Sequence, residues 1–194
     1  MKGVYVFLAD GFEEIEAIAP VDILSRGGVA VKTVSFNEDY FSTSSRRLPV
    51  VADMNFDEFL RGIDHTGTSE RDILVFPGGM PGARNLAGNA KLMEVMNRHY
   101  EAGGTVAAIC ASPALVLAGH LPVEVVSGLR MTCHDGFIDE LKASGAEYVK
   151  ENVVTSGRII TARGAGLSIE FGLALLARAK DQSSADKAAA AMML

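Results

Sequence analysis

Only two cysteines, Cys110 and Cys133, occur in 194 residues, which excludes a disulfide-stapled scaffold and a cysteine-rich zinc site and makes a reducing cytosol the simpler setting. No run approaches the roughly 20 apolar residues that a bilayer span requires, so no membrane partner is expected. Basic residues are in deficit, 18 against 24 acidic, for a formal charge of -6. With no basic stripe and only isolated aromatic residues, the chain is not expected to bind nucleic acid. There is no internal repeat and no dividing linker. Apolar content, by contrast, is ample: 48% hydrophobic and 22% charged residues suffice for one full core and exclude two large domains or a disordered acidic chain. Residues 1–180 are expected to form that single domain, with alanine-rich residues 181–194 as a tail that frays or packs.

The start, Met1-Lys2-Gly3 followed by the apolar run Val4 to Ala9, superficially resembles a short signal region. It stops at Asp10-Gly11-Phe12-Glu13-Glu14 without a cleavage segment, so a buried first strand is the better reading and a cytoplasmic location is expected. Val4 to Leu8 is continuously apolar, as in a parallel strand covered on both faces. Residues 13 to 26 follow with helical spacing of Ile15, Ile18, Ala19 and Ile23, and Pro20 is expected to bend or interrupt that helix.

Val29 to Phe36 reads as a second strand, residues 37 to 49 as a polar stretch, Val50-Val51 as a short strand and Asn55 to Leu60 as a short helix. Asp72 to Phe76 is a third buried strand, ending at the loop Pro77-Gly78-Gly79-Met80-Pro81-Gly82. Residues 89 to 102 form an Asn89-capped amphipathic helix, and Thr105 to Ile109 a further strand that leads into Cys110-Ala111-Ser112 and a helix with Pro113 in its first turn. Val123 to Val126 is weakly strand-like, Arg130 to Thr132 extended, and Phe137 to Ser144 helical. Extended pieces at Tyr148-Val149, Val153 to Thr155 and Ile159 to Thr161 suggest mixed pairing before a final helix, Leu167 to Lys180. This alternation predicts an α/β fold, a three-layer α/β/α sandwich around a mostly parallel sheet.

The chemistry centres on Cys110. A strand ending just before it places the thiol at the carboxyl edge of the sheet, where crevices form, and backbone donors of the next helix would favour thiolate. Inert packing is an equally simple account of a cysteine. Gly78 and Gly79 are placed to bring backbone donors to an oxygen anion, although an ordinary turn needs the same residues. Glu13, Glu14 and Glu16 suit the helix dipole, and one of them can also face the crevice. There a protonated carboxyl would donate to a thiolate, and an ionised one would oppose it. Cys133-His134-Asp135 lacks CxxC or HExxH spacing, so no metal is expected. The glycine loop lacks the residues of a phosphate loop, and no dinucleotide fingerprint opens the first helix, so no cofactor is expected. His65, His99 and His120 read as loop or helix-surface residues, and Cys133 as packed near a strand end.

Taken together, Leu8-Ala9-Asp10-Gly11-Phe12-Glu13-Glu14-Ile15-Glu16, Val75-Phe76-Pro77-Gly78-Gly79, Ala108-Ile109-Cys110-Ala111 and Thr161-Ala162-Arg163-Gly164-Ala165-Gly166 resemble the DJ-1/ThiJ/PfpI superfamily, particularly its DJ-1-like branch. The resemblance implies a flavodoxin-like sandwich and a homodimer. It also implies Cys110 as nucleophile or redox thiol, Glu16 as proton shuttle or hydrogen-bond donor to thiolate, and Gly78, Gly79 and Ala111 as oxyanion support. Met131-Thr132-Cys133-His134 matches the family's downstream histidine, making His134 a candidate assisting base. Its approach to the crevice would follow if Arg130 to Thr132 belonged to the same sheet. Arg26 and Arg46 are candidates for an anion-friendly rim or a dimer contact, with surface solubility as the plainer account. Protease-like relatives carry a histidine directly after the cysteine, where this chain has Ala111, so proteolysis is not expected. The implied function is conversion of small reactive carbonyls, or reversal of their adducts, in a glyoxalase- or deglycase-like manner. A cysteine-based oxidative-stress sensor or chaperone and a noncatalytic homodimeric binding module are the alternatives.

Overall fold

Strands without a polar face need cover on both sides, and the chain supplies it by alternating strands and helices. The computed structural model describes residues 3–194. Met1 and Lys2, the basic start of the segment weighed as a signal region, lie outside the described residues. The first half runs β1 (Val4–Leu8), α1 (Glu14–Arg26), β2 (Val31–Ser35), β3 (Phe41–Thr43), β4 (Pro49–Val51), β5 (Met54–Asn55), α2 (Phe56–Gly62), β6 (Ile73–Phe76), α3 (Gly82–Ala87) and α4 (Ala90–Glu101). The second half runs β7 (Thr105–Ile109), a π-helical turn (Pro113–Ala118), α5 (Val123–Val126), β8 (Arg130–Met131), a 3-10 turn (Asp135–Phe137), α6 (Ile138–Ala143) and β9 (Glu147–Tyr148). It closes with β10 (Val153–Ser156), β11 (Ile159–Ala162), a second 3-10 turn (Ala165–Leu167), α7 (Ser168–Ala179) and α8 (Gln182–Ala191).

Seven strands form the central sheet in the order β10-β11-β7-β6-β1-β2-β5. All neighbours are parallel except the β10–β11 hairpin. Alternate side chains leave the sheet on opposite faces. Phe7, Leu74, Phe76, Val106 and Ala108 pack with Leu92, Met93 and Met96 of α4. Val4, Val6, Leu8, Val75, Ala107 and Ile109 pack with Ile23 and Leu24 of α1 and with Phe171, Leu175 and Leu176 of α7. This is the expected flavodoxin-like three-layer sandwich. Chain direction reverses between β1 and β6, and loops leaving the carboxyl ends of strands on either side of such a switch point diverge to open a crevice.

Several local expectations are corrected. Helix α1 continues through Pro20, because burial against α7 outweighs one missing N–H bond. A Cβ on Gly172 would lie 3.2 Å from Pro20 Cα and 2.7 Å from the Ile23 methyl, so the helices touch at that glycine. Val123 to Val126 is helical rather than strand-like: the amides of Val125 and Val126 donate to Pro122 O at 2.9 and 3.2 Å, and these local bonds outweigh weak β propensity. The expected strand at residues 130–132 forms over Arg130–Met131, but it pairs with β9 in a separate sheet. The polar stretch 37–49 contributes to the β3–β4 hairpin. His99 is fully buried rather than on the helix surface, with Nε2 at 3.0 Å from Asp72 O and 3.1 Å from Thr105 O. Residues 182–191 form helix α8, capped by Asp181, whose carboxylate accepts from the Ser184 amide at 2.7 Å. Its Ala185 and Ala188 are buried among the residues of α1 and α7. Among the described residues no helix is long and apolar enough to cross a membrane.

The α1–α7 contact yields a stability prediction. Gly172→Val inserts branched carbon where even a Cβ is too close, and should cost about 2 kcal/mol or more. Val123→Ala, at a site 68% exposed, should change stability by less than about 0.5 kcal/mol. Urea unfolding midpoints of both variants check the contrast.

Candidate active site

Three loops meet at the crevice, each leaving the carboxyl end of a central strand. After β1, the chain passes Ala9 to Glu13 and enters α1. Glu13 caps that helix, its carboxylate accepting from the Glu16 amide at 2.9 Å, while its own amide donates to Gly78 O at 3.0 Å. The cap therefore ties the helix start to the loop after β6. Gly79 in that loop has φ +88°, and a Cβ there would lie 2.4 Å from Glu13 N and 2.5 Å from Gly11 O, so only glycine lets the two loops meet.

Cys110 follows β7 with φ +66°, a left-handed conformation that side-chain-bearing residues rarely adopt. The structure holds it there by two backbone bonds: Cys110 N donates to Ala162 O at 3.0 Å, and Cys110 O accepts from His134 N at 2.8 Å. The sharp turn lifts the side chain out of the sheet edge into a partly exposed position. Gly78 lies between the thiol and Glu16, since a Cβ on it would be 2.7 Å from Cys110 Cβ and 2.6 Å from Glu16 Oε2. Any larger residue at 78 would fill the space in which acid and sulfur meet.

Glu16 is completely buried. Its Oε2 accepts from the Gly78 amide at 2.8 Å, its Oε1 is buried without a hydrogen-bond partner, and the Cys110 thiol lies beside the carboxyl as its neighbouring donor. Burial is the largest influence and pushes Glu16 up to about 7, with the neighbouring Glu13 charge adding to it, against the lowering effect of the bonds from Cys110 and Gly78. Burial also pushes the Cys110 thiol up, to about 12, helped by the Glu16 charge and hydrogen bond, while the amides of Gly79 and Ala111 pull it down. The backbone donors expected to favour thiolate are therefore outweighed, first by burial and then by an ionised Glu16, the opposition expected of a charged carboxyl in the crevice. Protonating Glu16 removes that charge and turns the carboxyl into a donor. The two groups titrate as a coupled pair: both are protonated at low pH, one proton remains once the first is lost, and thiolate beside a neutral carboxyl is one of the two forms of that singly protonated state.

The three glycine and alanine amides divide their work. Those of Gly79 and Ala111 face sulfur, whereas that of Gly78 is committed to Glu16. His134 lines the same cleft, exposed, although its strand lies outside the central sheet. Its amide bond to Cys110 O is what brings it there, and its Nδ1 accepts from the Gly136 amide at 3.1 Å. A neutral imidazole accepting at Nδ1 carries its proton on Nε2. The cleft, of about 390 Å³, is completed by Glu13, Ser45, Arg46, Met80, Phe137 and Ala165. Ser45 and Arg46 come from the β3–β4 hairpin, held down by Glu14, which accepts from Ser44 Oγ and, at 2.8 Å, from Arg46 N. Of the polar run 37–49, the sequence singles out only Arg46 as a rim candidate and not Ser45. Arg46 reaches the rim; Arg26 instead pairs with Asp22 at 2.7 Å.

Cys133 is buried in the core, where burial raises its thiol to about 12. A larger cavity, about 530 Å³, lies between α2 and α4 beside His65, away from both cysteines. No group of three or more His, Cys, Asp or Glu side chains among the described residues is gathered to hold a metal ion.

Residues 2–178 match the family model of the DJ-1/PfpI family. The zebrafish Parkinson disease protein 7 homolog, from Danio rerio, is 32% identical over 176 residues, covering 90% of this chain and 88% of that one. A Caenorhabditis elegans protein named glutathione-independent glyoxalase DJR-1.2 is 32% identical over 166 residues, covering 84% of this chain and 81% of that one. Against Arabidopsis thaliana Protein DJ-1 homologs B and A, the chain is 32% and 31% identical but spans only 37% and 47% of their lengths. The solved structure of oxidized Toxoplasma gondii DJ-1 superposes with a TM-score of 0.87 at 30% identity, covering 100% of this chain and 98% of that one.

The buried acid sets a pH signature. Glu16 lies near 7 in the folded chain against an ordinary 4.5, so its contribution to stability is complete below pH 4.5 and is lost as pH rises through 7. Glu16→Gln removes that loss. The variant should be more stable than wild type at pH 7.5, by up to roughly 3 kcal/mol, with the difference vanishing near pH 4.5. His99, lowered to about 4 by burial, titrates in the opposite sense but is common to both proteins and cancels in the comparison. Paired urea titrations from pH 4.5 to 8 measure the difference.

Proposed function

This chain belongs to the DJ-1/PfpI family, and from that premise we propose that it is a cysteine-dependent enzyme converting small α-oxoaldehydes to hydroxy acids. One observation carries the reading: a fully buried carboxyl, pushed up to about 7 by burial, stands beside the thiol of a strained turn. The name of the Caenorhabditis elegans relative supports the same reaction class.

With methylglyoxal, Cys110 sulfur adds to the aldehyde carbon and the Glu16 proton passes to the new alkoxide oxygen. Glu16, now ionised, takes the hydrogen from that carbon, and the electron pair moves into an enediolate. A pKa near 7 suits a group that must give and take one proton in each turnover. The amides of Gly79 and Ala111 support developing oxygen charge, and His134 presents Nε2–H to a substrate oxygen. Return of the proton from Glu16 to the neighbouring carbon, with the hydroxyl proton passing to that carbon's oxygen, leaves a lactoyl thioester. Water cleaves it to lactate and free sulfur. The net change is addition of one water, so no oxidant or reductant is consumed.

A redox-sensing role is the second reading, favoured by the contrast between a partly exposed Cys110 and a fully buried Cys133. One experiment separates the two. Lactate formation, measured as product rather than aldehyde loss, should fall to background in Cys110→Ala and by about 10²-fold or more in Glu16→Gln, with a smaller loss in His134→Ala. Unchanged turnover in the first two removes the mechanism. No turnover in wild type, with peroxide converting Cys110 selectively to sulfinic acid, transfers the role to sensing.

We also propose a homodimer. Ile15, Ile18, Phe41, Leu48 and Val51 are exposed on α1 and around the β3–β4 hairpin, an apolar group that a second copy would cover. Light scattering should give twice the chain mass at micromolar concentration, and a monomer across that range rejects the dimer.

A further inference from the structure

The cleft over Cys110 does not end at His134. A second chamber of about 270 Å³ is lined by His134, Asp135, Arg163 and Gly164 to Leu167, and it shares His134 and Ala165 with the first. The sheet explains the adjacency. Strands β7 and β11 are parallel neighbours in which Ile109 lies opposite Ala162, and the Cys110 amide donates to Ala162 O at 3.0 Å, so Cys110 and Arg163 follow at the same edge of the sheet. Nothing assigned to the reaction above uses this chamber.

Its one cationic side chain is Arg163, 25% exposed, whose Nη2 donates to Asp135 Oδ1 at 2.7 Å. Asp135 is 62% exposed. A carboxylate so open to water holds its partner weakly and can turn away at little cost, whereas a guanidinium half sunk in a chamber offers a planar fork to a second carboxylate. Arg163 Nε is buried and has no partner, and the guanidinium, which also faces Tyr148, is paired with this one carboxylate. The adjoining Gly164 and Gly166 carry no side chains to block the passage, and a Cβ on Gly166 would meet nothing within 4 Å.

We propose that the two chambers form one extended site for a two-part ligand: an electrophilic carbonyl carbon at Cys110 and, beyond His134, a carboxylate tail held by Arg163. The ligand class is thus carbonyl compounds or carbonyl adducts that bear a carboxylate a few bonds from the reactive carbon. This rests on the reading of Cys110 as an accessible nucleophile but not on turnover, and the test keeps the two apart.

Wild-type protein is alkylated with iodoacetyl-amino acids whose carboxylate is separated from the reactive carbon by progressively longer chains, each beside its neutral amide. Sulfur displaces iodide in every case, so the rate reports placement at Cys110 without requiring any enzymatic reaction. The ratio of acid to amide rates should peak at one intermediate length, by about fivefold or more. It should fall toward one in Arg163→Met, recover partly in Arg163→Lys and rise in Asp135→Asn. The proposal is overturned if wild type shows a flat ratio at all lengths, or if Arg46→Met abolishes the preference and Arg163→Met does not. The length series on wild type stands even if a variant fails to fold. A preserved preference without lactate formation would leave the extended site in place and reject only the oxoaldehyde reaction.

Discussion

The hydrogen bond from the Gly78 amide to Glu16 Oε2 is the constraint on which the crevice depends. It joins the first turn of α1 to the loop after β6, and it fixes a carboxyl where no water reaches it. A carboxylate in that position is costly, and one backbone donor offsets only part of the cost. The acid therefore keeps its proton to near neutrality, and the thiol beside it inherits the consequence: burial opposes its ionisation, and so does the acid whenever it is charged. Gly78 and Gly79, Glu13 as cap and the strained backbone of Cys110 all serve that meeting.

The fold supplies the meeting point for a topological reason. The loops after β1, β6 and β7 leave the same edge of the sheet around the reversal of chain direction between β1 and β6. Helices α1 and α7 cover one face and α4 the other, leaving that edge for chemistry. The β3–β4 hairpin and the segment around His134 belong to neither layer. Each is fastened by a few specific bonds, Glu14 to Ser44 and Arg46 in one case and His134 N to Cys110 O in the other. They are the parts of the site whose position follows from contacts rather than from the sheet.

Particular residues show where local reading succeeds and where it stops. The continuous apolar runs at 4–8, 73–76 and 105–109, each only four or five residues long and β-branched in part, announce strands covered on both faces, as in a parallel sheet between helices. Asn89 and Asp181, each capping a helix, are similarly local signals, although only the first was read as a cap. Pro20 misleads, because its cost is local and its compensation, the contact with Gly172, lies across the core. Val123 to Val126 misleads because β propensity is weak where no strand edge is within reach. His99 looks like a helix-surface residue until the starts of β6 and β7 close around it.

For the site, residue identity alone determined that a thiol would stand at a strand-to-helix turn, that flexible glycines would follow another strand and that acids would open the first helix. Periodicity and turn chemistry act over a few residues, so these features are written in the chain itself. Only the tertiary structure decided which of three glutamates is buried, that its charge opposes the thiolate, that Gly78 serves the acid while Gly79 and Ala111 serve sulfur, and that a second chamber adjoins the first. Those outcomes depend on desolvation and on distances between segments some 60 residues or more apart, such as Glu16 and Gly78, and such quantities exist only once the chain has closed on itself.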